Sequence, residues 1–171
     1  EGVFQSRTVV IATGASPRPL GIPGEETLIG KGVHYCAACD GAPYRGRIVA
    51  VVGGGNSAAA DALALSRIAK KVYLIHRRDS LRATKVYHEP LMSAPNVEFC
   101  WNTTVSALLH ESRLTGLRLK DVNTGAEHDL ACDGLFISIG RAPATELFRR
   151  ELALDKSGYI IADESTRTSL P

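Results

Sequence analysis

The chain has 171 residues, 44% of them hydrophobic, which is enough for one buried core of ordinary domain size. With 20 basic and 18 acidic residues the formal net charge is +2, which excludes the strong basic excess typical of proteins that bind nucleic acid or an anionic membrane. No apolar run reaches the roughly 18 to 20 residues that span a bilayer, and the first residues lack the pattern of a signal peptide. We therefore expect a cytoplasmic protein that binds neither nucleic acid nor membrane.

Apolar runs rich in β-branched residues predict five strands, in chain order at residues 9–11, 48–52, 72–75, 97–99 and 135–139. Runs that are apolar on both faces are typical of parallel strands covered on both sides. Between the second and third runs, residues 57–71 are rich in alanine and leucine and contain no glycine or proline. This composition predicts a helix of about four turns, and the three segments together predict a βαβ unit.

The pattern changes after the third strand. A helix is predicted over residues 82–92, with a break or kink at Pro90. Before the last parallel strand, three segments with turn residues between them predict an antiparallel meander, at residues 105–110, 114–122 and 127–131. The predicted fold is therefore α/β: a Rossmann-like, three-layer nucleotide-binding domain in which a parallel sheet is combined with a three-stranded meander.

The two ends of the chain do not fit this domain. Both contain strand-like pieces that are separated from the central pattern by loops rich in proline and glycine. We therefore predict a nucleotide-binding domain over residues 18–143, with segments of a second domain at residues 1–17 and 144–171.

Two of the four cysteines form a C-x-x-C pattern, Cys36 and Cys39, directly followed by Asp40. Two intervening residues allow one helical turn to bring the sulfurs within bonding range, so the pair can cycle between dithiol and disulfide. Asp40 can supply or accept the proton that a leaving thiolate needs. These three residues are the predicted catalytic group.

Other interpretations of the cysteines are weaker. A zinc site is an alternative, but His34 with the C-x-x-C pair gives three ligands, and no second ligand pair is present in the sequence, so no metal site is predicted. Cys100 and Cys132 lie in apolar, strand-like surroundings, which predicts ordinary buried thiols.

A glycine-rich turn joins the predicted strand 48–52 to the predicted helix. In the G-x-G-x-x-A pattern, the first glycine permits a tight turn, the second lets the backbone approach a pyrophosphate, and the small third residue lets helix and strand pack closely. Free N–H groups at the start of the helix then face the phosphates. The predicted contacts are Gly53, Gly54, Gly55, Asn56, Ser57 and Ala58.

The end of the next strand indicates which nucleotide binds. Sites for NAD usually carry Asp or Glu there, whereas this strand ends in His76, Arg77 and Arg78, with Arg82 close behind. Guanidinium groups bind a 2′-phosphate with charge-assisted hydrogen bonds, so NADPH is favoured over NADH. The alternative is a solvated basic loop in which Asp79 pairs with a neighbouring arginine.

In this order and spacing, the cysteine pair, the glycine turn and the His-Arg-Arg segment make the whole chain similar to the low-molecular-weight thioredoxin reductases, which are pyridine nucleotide-disulfide oxidoreductases. The resemblance implies that Cys36 and Cys39 are the redox-active disulfide and Asp40 the acid/base. It also implies that Ser57 and the four residues His76, Arg77, Arg78 and Arg82 surround NADPH. Residues 10–14 resemble the family's strand and turn in the FAD domain just before the crossover, and residues 140–143 resemble the return crossing, so the flanks are expected to be partial FAD-domain segments.

The family transfers electrons from NADPH through FAD to the disulfide and then to thioredoxin or a thioredoxin-like protein, usually as a homodimer. The resemblance therefore implies an NADPH domain that rotates against the FAD domain of the same parent chain, with hinges at residues 17–24 and 140–143. The family's N-terminal FAD loop, and the Gly-Asp segment expected after the last residue, are not in this sequence. We therefore expect the chain alone to bind NADPH without turnover. Ala38 replaces a threonine found in many relatives, a minor change of packing.

Three other functions remain open at this point. A flavoprotein that reduces an alkyl hydroperoxide-removing peroxidase would share the glycine turn and a similar cysteine pair. A non-catalytic NADPH-binding module, or a zinc-binding interaction module, would need no electron transfer at all.

Overall fold

The structure, a computed structural model, describes residues 2–170, so the two outermost residues of the predicted flanks, Glu1 and Pro171, lie outside the described residues. The chain divides into two compact units: Pro17–Gly140, and the end segments Glu1–Ser16 and Arg141–Pro171. The strands are, in chain order, β1 (Ala15–Pro17), β2 (Val33–His34), β3 (Ile48–Val52), β4 (Lys71–Ile75), β5 (Val97–Cys100), β6 (Thr103–His110), β7 (Leu114–Asp121), β8 (Glu127–Ala131), β9 (Gly134–Ile137) and β10 (Arg141–Pro143). The α-helices are α1 (Glu25–Leu28), α2 (Ala37–Asp40), α3 (Asn56–Ser66) and α4 (His88–Met92), and short 3₁₀ turns cover Ala42–Tyr44, Lys85–Tyr87 and Glu146–Phe148.

A parallel five-stranded sheet is the centre of the larger unit, in the order β2-β9-β3-β4-β5. The three middle strands β9, β3 and β4 are apolar and mostly buried, as expected for strands with both faces covered. The predicted strands at 48–52, 72–75, 97–99 and 135–139 are therefore confirmed in type. The last one ends at Ile137, two residues earlier than predicted.

The larger unit has three layers. Alternate residues of β3 point to opposite faces: Val49 and Val51 pack with α3, whereas Ala50 and Val52 pack with the meander. The meander consists of β6, β7 and β8 in antiparallel order, as predicted. Helix α3 on one face and the meander on the other thus confirm the predicted α/β architecture.

Helix α3 is shorter than predicted, because it ends at Ser66 rather than at residue 71. The Asn96 side-chain amide donates to the carbonyls of Ser66 (2.8 Å) and Ala69 (3.0 Å), which satisfies acceptors that are unpaired at a helix end. Lys71 instead begins β4 and pairs with Ile48.

The predicted helix over residues 82–92 is wrong in its first part. Residues 82–84 carry no helix, and the segment becomes helical only with the 3₁₀ turn Lys85–Tyr87 and α4. Pro90 does not break α4, because it lies in the first turn, where its missing N–H would have no intrahelical partner.

The smaller unit contains little regular structure among its described residues. Strands β1 and β10 form a two-stranded sheet, and an isolated bridge joins Leu154 to Ile160. The predicted strand at 9–11 is absent: Val9 and Val10 are exposed, and no strand of residues 2–170 pairs with them.

Candidate nucleotide and disulfide site

A cleft of about 690 Å³ opens at the carboxyl ends of β3, β4 and β9 in the larger unit. Because β4 lies on one side of β3 and β9 on the other, the cleft lies where the strand order reverses, the usual ligand site of an open α/β sheet. The residues that line it include most of the predicted nucleotide contacts: Gly53, Gly54, Gly55, Asn56, Ser57, His76, Arg77, Arg78 and Arg82. Ala58 is fully buried behind them.

Two glycines of the turn are required by close packing. Gly53 has a φ of 147°, and a Cβ there would overlap the Ser138 carbonyl and lie 2.7 Å from the Ala58 Cβ. A Cβ on Gly54 would overlap the imidazole ring of His76. Gly55 differs: apart from its chain neighbours, no atom of residues 2–170 lies within 4 Å of its Cβ position, so its backbone is open to a ligand.

The glycine turn (residues 53–58) and the basic loop (residues 76–82) are joined by backbone hydrogen bonds. The Gly54 carbonyl accepts from the N–H groups of Arg82 (2.7 Å) and Ala83 (3.0 Å). The Asn56 side-chain oxygen accepts from the Thr84 N–H at 2.8 Å. These bonds explain why residues 82–84 are not helical, and they hold Arg82 at the cleft.

His76 lies beneath the turn and is only 7% exposed. Burial lowers the pKa of His76, and the positive charges of Arg78, Arg77 and Arg82 lower it further, so the imidazole is neutral at neutral pH. The ring has a hydrogen bond to the Ser80 backbone, whereas Nε2 has no partner among residues 2–170. This is the buried polar atom that a ligand in the cleft could satisfy.

The three arginines of the basic loop form no ion pair in the described part of the chain. Asp79, which the alternative interpretation pairs with one of them, instead accepts a hydrogen bond from the Ser80 hydroxyl at 3.0 Å. Arg77, Arg78 and Arg82 are all exposed at the cleft. Their guanidinium groups are therefore available to an anionic group.

Cys36 and Cys39 form a disulfide, with their Cα atoms 5.3 Å apart. Cys36 precedes α2 and its sulfur accepts a hydrogen bond from the Cys39 N–H at 3.1 Å, while Gly41 ends the helix after one turn. Asp40 is the last residue of α2, and 45% of its side chain is exposed. The disulfide and its neighbouring carboxylate can thus be reached from solvent.

The two other cysteines are poor nucleophiles. Burial raises the pKa of Cys132 to about 12 and that of the half-buried Cys100 to about 11. Thiolate is the reactive form, so these two thiols stay protonated and slow at neutral pH. No group of three or more His, Cys, Asp or Glu side chains within residues 2–170 is placed to hold a metal ion.

One residue that links the two parts of the site is not predicted from the sequence. Asp61 of α3 accepts hydrogen bonds from the Ser138 hydroxyl, at the cleft, and from the Ala37 N–H, at the start of α2. Burial raises the pKa of Asp61 despite these bonds. A single carboxylate in a helix otherwise rich in alanine and leucine is the sequence signal that could have indicated it.

Comparisons with known proteins agree with this arrangement. The sequence model of the pyridine nucleotide-disulphide oxidoreductase family matches residues 1–171. The chain is 46% identical over 169 residues to the thioredoxin reductase of Streptomyces clavuligerus, covering 98% of this chain and 52% of that protein. The thioredoxin reductase of Treponema pallidum is 44% identical over 169 residues, covering 99% of this chain and 55% of its own length.

Solved structures give the same result. The thioredoxin reductase of Lactococcus lactis matches with a TM-score of 0.87 and 36% identity, covering 92% of this chain and 52% of that one. That of T. acidophilum matches with a TM-score of 0.86 and 34% identity, with the same coverage. The chain therefore spans about half the length of these relatives. Within residues 2–170, no helix is both long and apolar enough to cross a membrane.

Proposed function

The chain belongs to the pyridine nucleotide-disulphide oxidoreductase family, and we propose that it is the NADPH-binding, disulfide-carrying part of a thioredoxin reductase. The observation that carries this proposal is that one compact unit, Pro17–Gly140, contains both an open glycine turn beside exposed arginines and an accessible disulfide. A nucleotide site alone would not need the second feature.

The residues at the cleft fit NADPH. Gly55 leaves room for the pyrophosphate next to the backbone, and Arg77, Arg78 and Arg82 can bind the 2′-phosphate with charge-assisted hydrogen bonds. The neutral imidazole of His76 donates its proton to the Ser80 backbone, so Nε2 can accept a hydrogen bond from a nucleotide hydroxyl or amino group.

In the complete protein, FAD would supply the two-electron relay between the nicotinamide and the disulfide. The Cys36 and Cys39 thiols would then reduce the disulfide of thioredoxin or a thioredoxin-like protein, with Asp40 as the proton acceptor. We further propose that the two flanks are partial FAD-domain segments and that the hinges lie at residues 17–24 and 140–143. The complete protein would be a cytoplasmic homodimer. The similarity to proteins named thioredoxin reductase favours this function over reduction of a peroxidase.

Thiol-disulfide exchange with thioredoxin tests the proposal. The chain is reduced chemically, freed of reductant and mixed with an oxidised bacterial thioredoxin, and the thiols of each protein are counted by mass spectrometry after alkylation. We expect thioredoxin to gain two thiols as the chain loses two, a result that the Cys36→Ser/Cys39→Ser variant abolishes. The matched control, Cys100→Ser/Cys132→Ser, removes one half-buried and one buried thiol, both of high pKa, and should exchange like the parent chain. Absence of exchange from the fully reduced parent chain would refute the proposal.

A further inference from the structure

His34 lies two residues before Cys36, on β2, with 10% of its side chain exposed. Its ring stacks on Phe136, with centroids 5.2 Å apart and an interplanar angle of 25°. Nε2 is 2.7 Å from the Tyr44 hydroxyl, and Nδ1 is 3.4 Å from the Asp40 carboxylate. Both ring nitrogens are therefore next to a polar group, and one of these is the carboxylate that follows Cys39.

The direction of these contacts follows from Asp40. A carboxylate oxygen can only accept a hydrogen bond, so the Nδ1 that faces it carries the imidazole proton. In a neutral imidazole the other nitrogen, Nε2, then accepts, so the Tyr44 hydroxyl donates to it.

The charges around these groups support a neutral ring. Burial lowers the pKa of His34; Asp40 raises it and Arg113 lowers it. Burial raises the pKa of Tyr44, with Asp133 and Asp40 acting in the same direction and Arg113 in the opposite one. At neutral pH the groups therefore remain a neutral phenol and a neutral imidazole.

From this geometry we infer that His34 is a positioning residue of the disulfide site, which holds the Asp40 carboxylate beside the cysteine pair through a one-way series of donors, Tyr44 to His34 to Asp40. Asp40 is half exposed on a one-turn helix, and without the Nδ1 donor nothing else among its described side-chain contacts would fix its orientation.

The inference rests on the proposed role of Asp40 in exchange. A cysteine thiol gives its proton to the Asp40 carboxylate and becomes a thiolate. The thiolate attacks the substrate disulfide, forming a mixed disulfide and releasing a substrate thiolate, which takes the proton back from Asp40. His34 gives up no proton in this sequence; it fixes where the carboxylate stands.

The pH dependence of thiol alkylation tests the inference. This measurement needs neither nucleotide nor thioredoxin, so it can be interpreted even if the chain fails to exchange with thioredoxin. The reduced chain is treated with iodoacetamide between pH 5 and pH 9.5, and modification of the Cys36 and Cys39 peptide is followed by mass spectrometry. A nearby carboxylate raises the pKa of a thiol, so freeing Asp40 should lower the apparent pKa of the profile. We expect Asp40→Asn and His34→Gln to lower it by at least about half a unit.

His34→Asn is the matched variant, since its amide nitrogen takes the place of Nδ1, whereas that of His34→Gln takes the place of Nε2. We expect the His34→Asn profile to coincide with that of the parent chain. We also expect His34→Gln to add no shift in an Asp40→Asn background. Equal pH profiles for the parent chain and His34→Gln would overturn the inference. A pKa shift caused by His34→Gln that persists in the Asp40→Asn background would also overturn it, because His34 would then act on the thiols through the fold and not through Asp40.

Discussion

Gly54 and Gly55 are neighbours in one turn, yet their side-chain positions face different surroundings. A methyl group on Gly54 would meet the His76 ring inside the protein, whereas one on Gly55 would meet only the open cleft. Glycine is therefore needed at residue 54 for packing within the fold, whereas at residue 55 it leaves space in the cleft for a ligand.

We predict that Gly54→Ala destabilises the fold by about 1–3 kcal/mol, because the extra methyl group must displace a packed ring. Gly55→Ala should cost less than about 1 kcal/mol, the effect of exchanging glycine for alanine before a helix, but should weaken NADPH binding at least about tenfold by blocking the backbone. Urea unfolding followed by circular dichroism gives the stabilities. Nucleotide titration of the folded Gly55→Ala variant gives its affinity. Unchanged NADPH affinity in Gly55→Ala would contradict the assignment of this glycine.

The lowered pKa of His76 makes stability depend on pH. The folded protein disfavours the charged imidazole. The stability that the neutral His76 contributes is therefore complete above pH 6.5, the ordinary pKa of histidine, and it is lost as the pH falls from 6.5 towards the lower pKa of the folded state. We predict that the free energy of unfolding falls between pH 7 and pH 5, and that it falls less in His76→Gln. Parallel pH profiles for the two proteins in urea unfolding would show that His76 titrates normally.

Sequence patterns predict residues that act through a local motif and miss those that act through distant partners. The glycine turn and the arginines line the same cleft. The Asp61 partner Ser138 is 77 residues away, and Arg113, between β6 and β7 of the meander, is close enough for its charge to lower the pKa of both Tyr44 and His34. Such pairs exist only after the sheet has formed, so spacing along the chain cannot reveal them.

At the scale of elements, helix α3 shows how a helix end is set by tertiary contacts. Residues 67–71 have a composition that suits a helix, but Asn96 binds the carbonyls of Ser66 and Ala69, and Lys71 is taken into β4. Residues 9–11 are an apolar run that forms no strand. A strand forms only where a neighbouring strand pairs with its backbone hydrogen-bonding groups.

We predict that Asn96→Ala lowers the free energy of unfolding by about 1–3 kcal/mol, because two helix-end carbonyls lose their donor. The exposed Asn123 in the turn between β7 and β8 offers a matched control, and Asn123→Ala should change stability by less than about 0.5 kcal/mol. Both are measured by thermal and urea unfolding. Equal stabilities of the two variants would mean that water replaces the Asn96 amide at no cost.

At the scale of the whole molecule, one compact unit contains both the nucleotide cleft and the disulfide. The α/β class, the parallel strands, the meander and the order of the motifs follow from the sequence. The division into domains at residues 17 and 143 and the hinge motion stay predictions, because they concern the complete protein.

Preference for NADPH over NADH tests the central claim most directly. Trp101 is the one tryptophan of the chain, and its ring centroid lies 6.4 Å from that of His76, so quenching of its emission by reduced nucleotide reports binding in the cleft. Charge-assisted hydrogen bonds contribute about 1.5–3 kcal/mol each, so Arg77→Ala/Arg78→Ala should weaken NADPH binding at least about 30-fold and leave NADH binding unchanged. Arg149→Ala/Arg150→Ala removes the same charge from exposed positions and should bind like the parent chain. Equal affinity of the parent chain for both nucleotides, unaffected by the Arg77/Arg78 changes, would contradict the account.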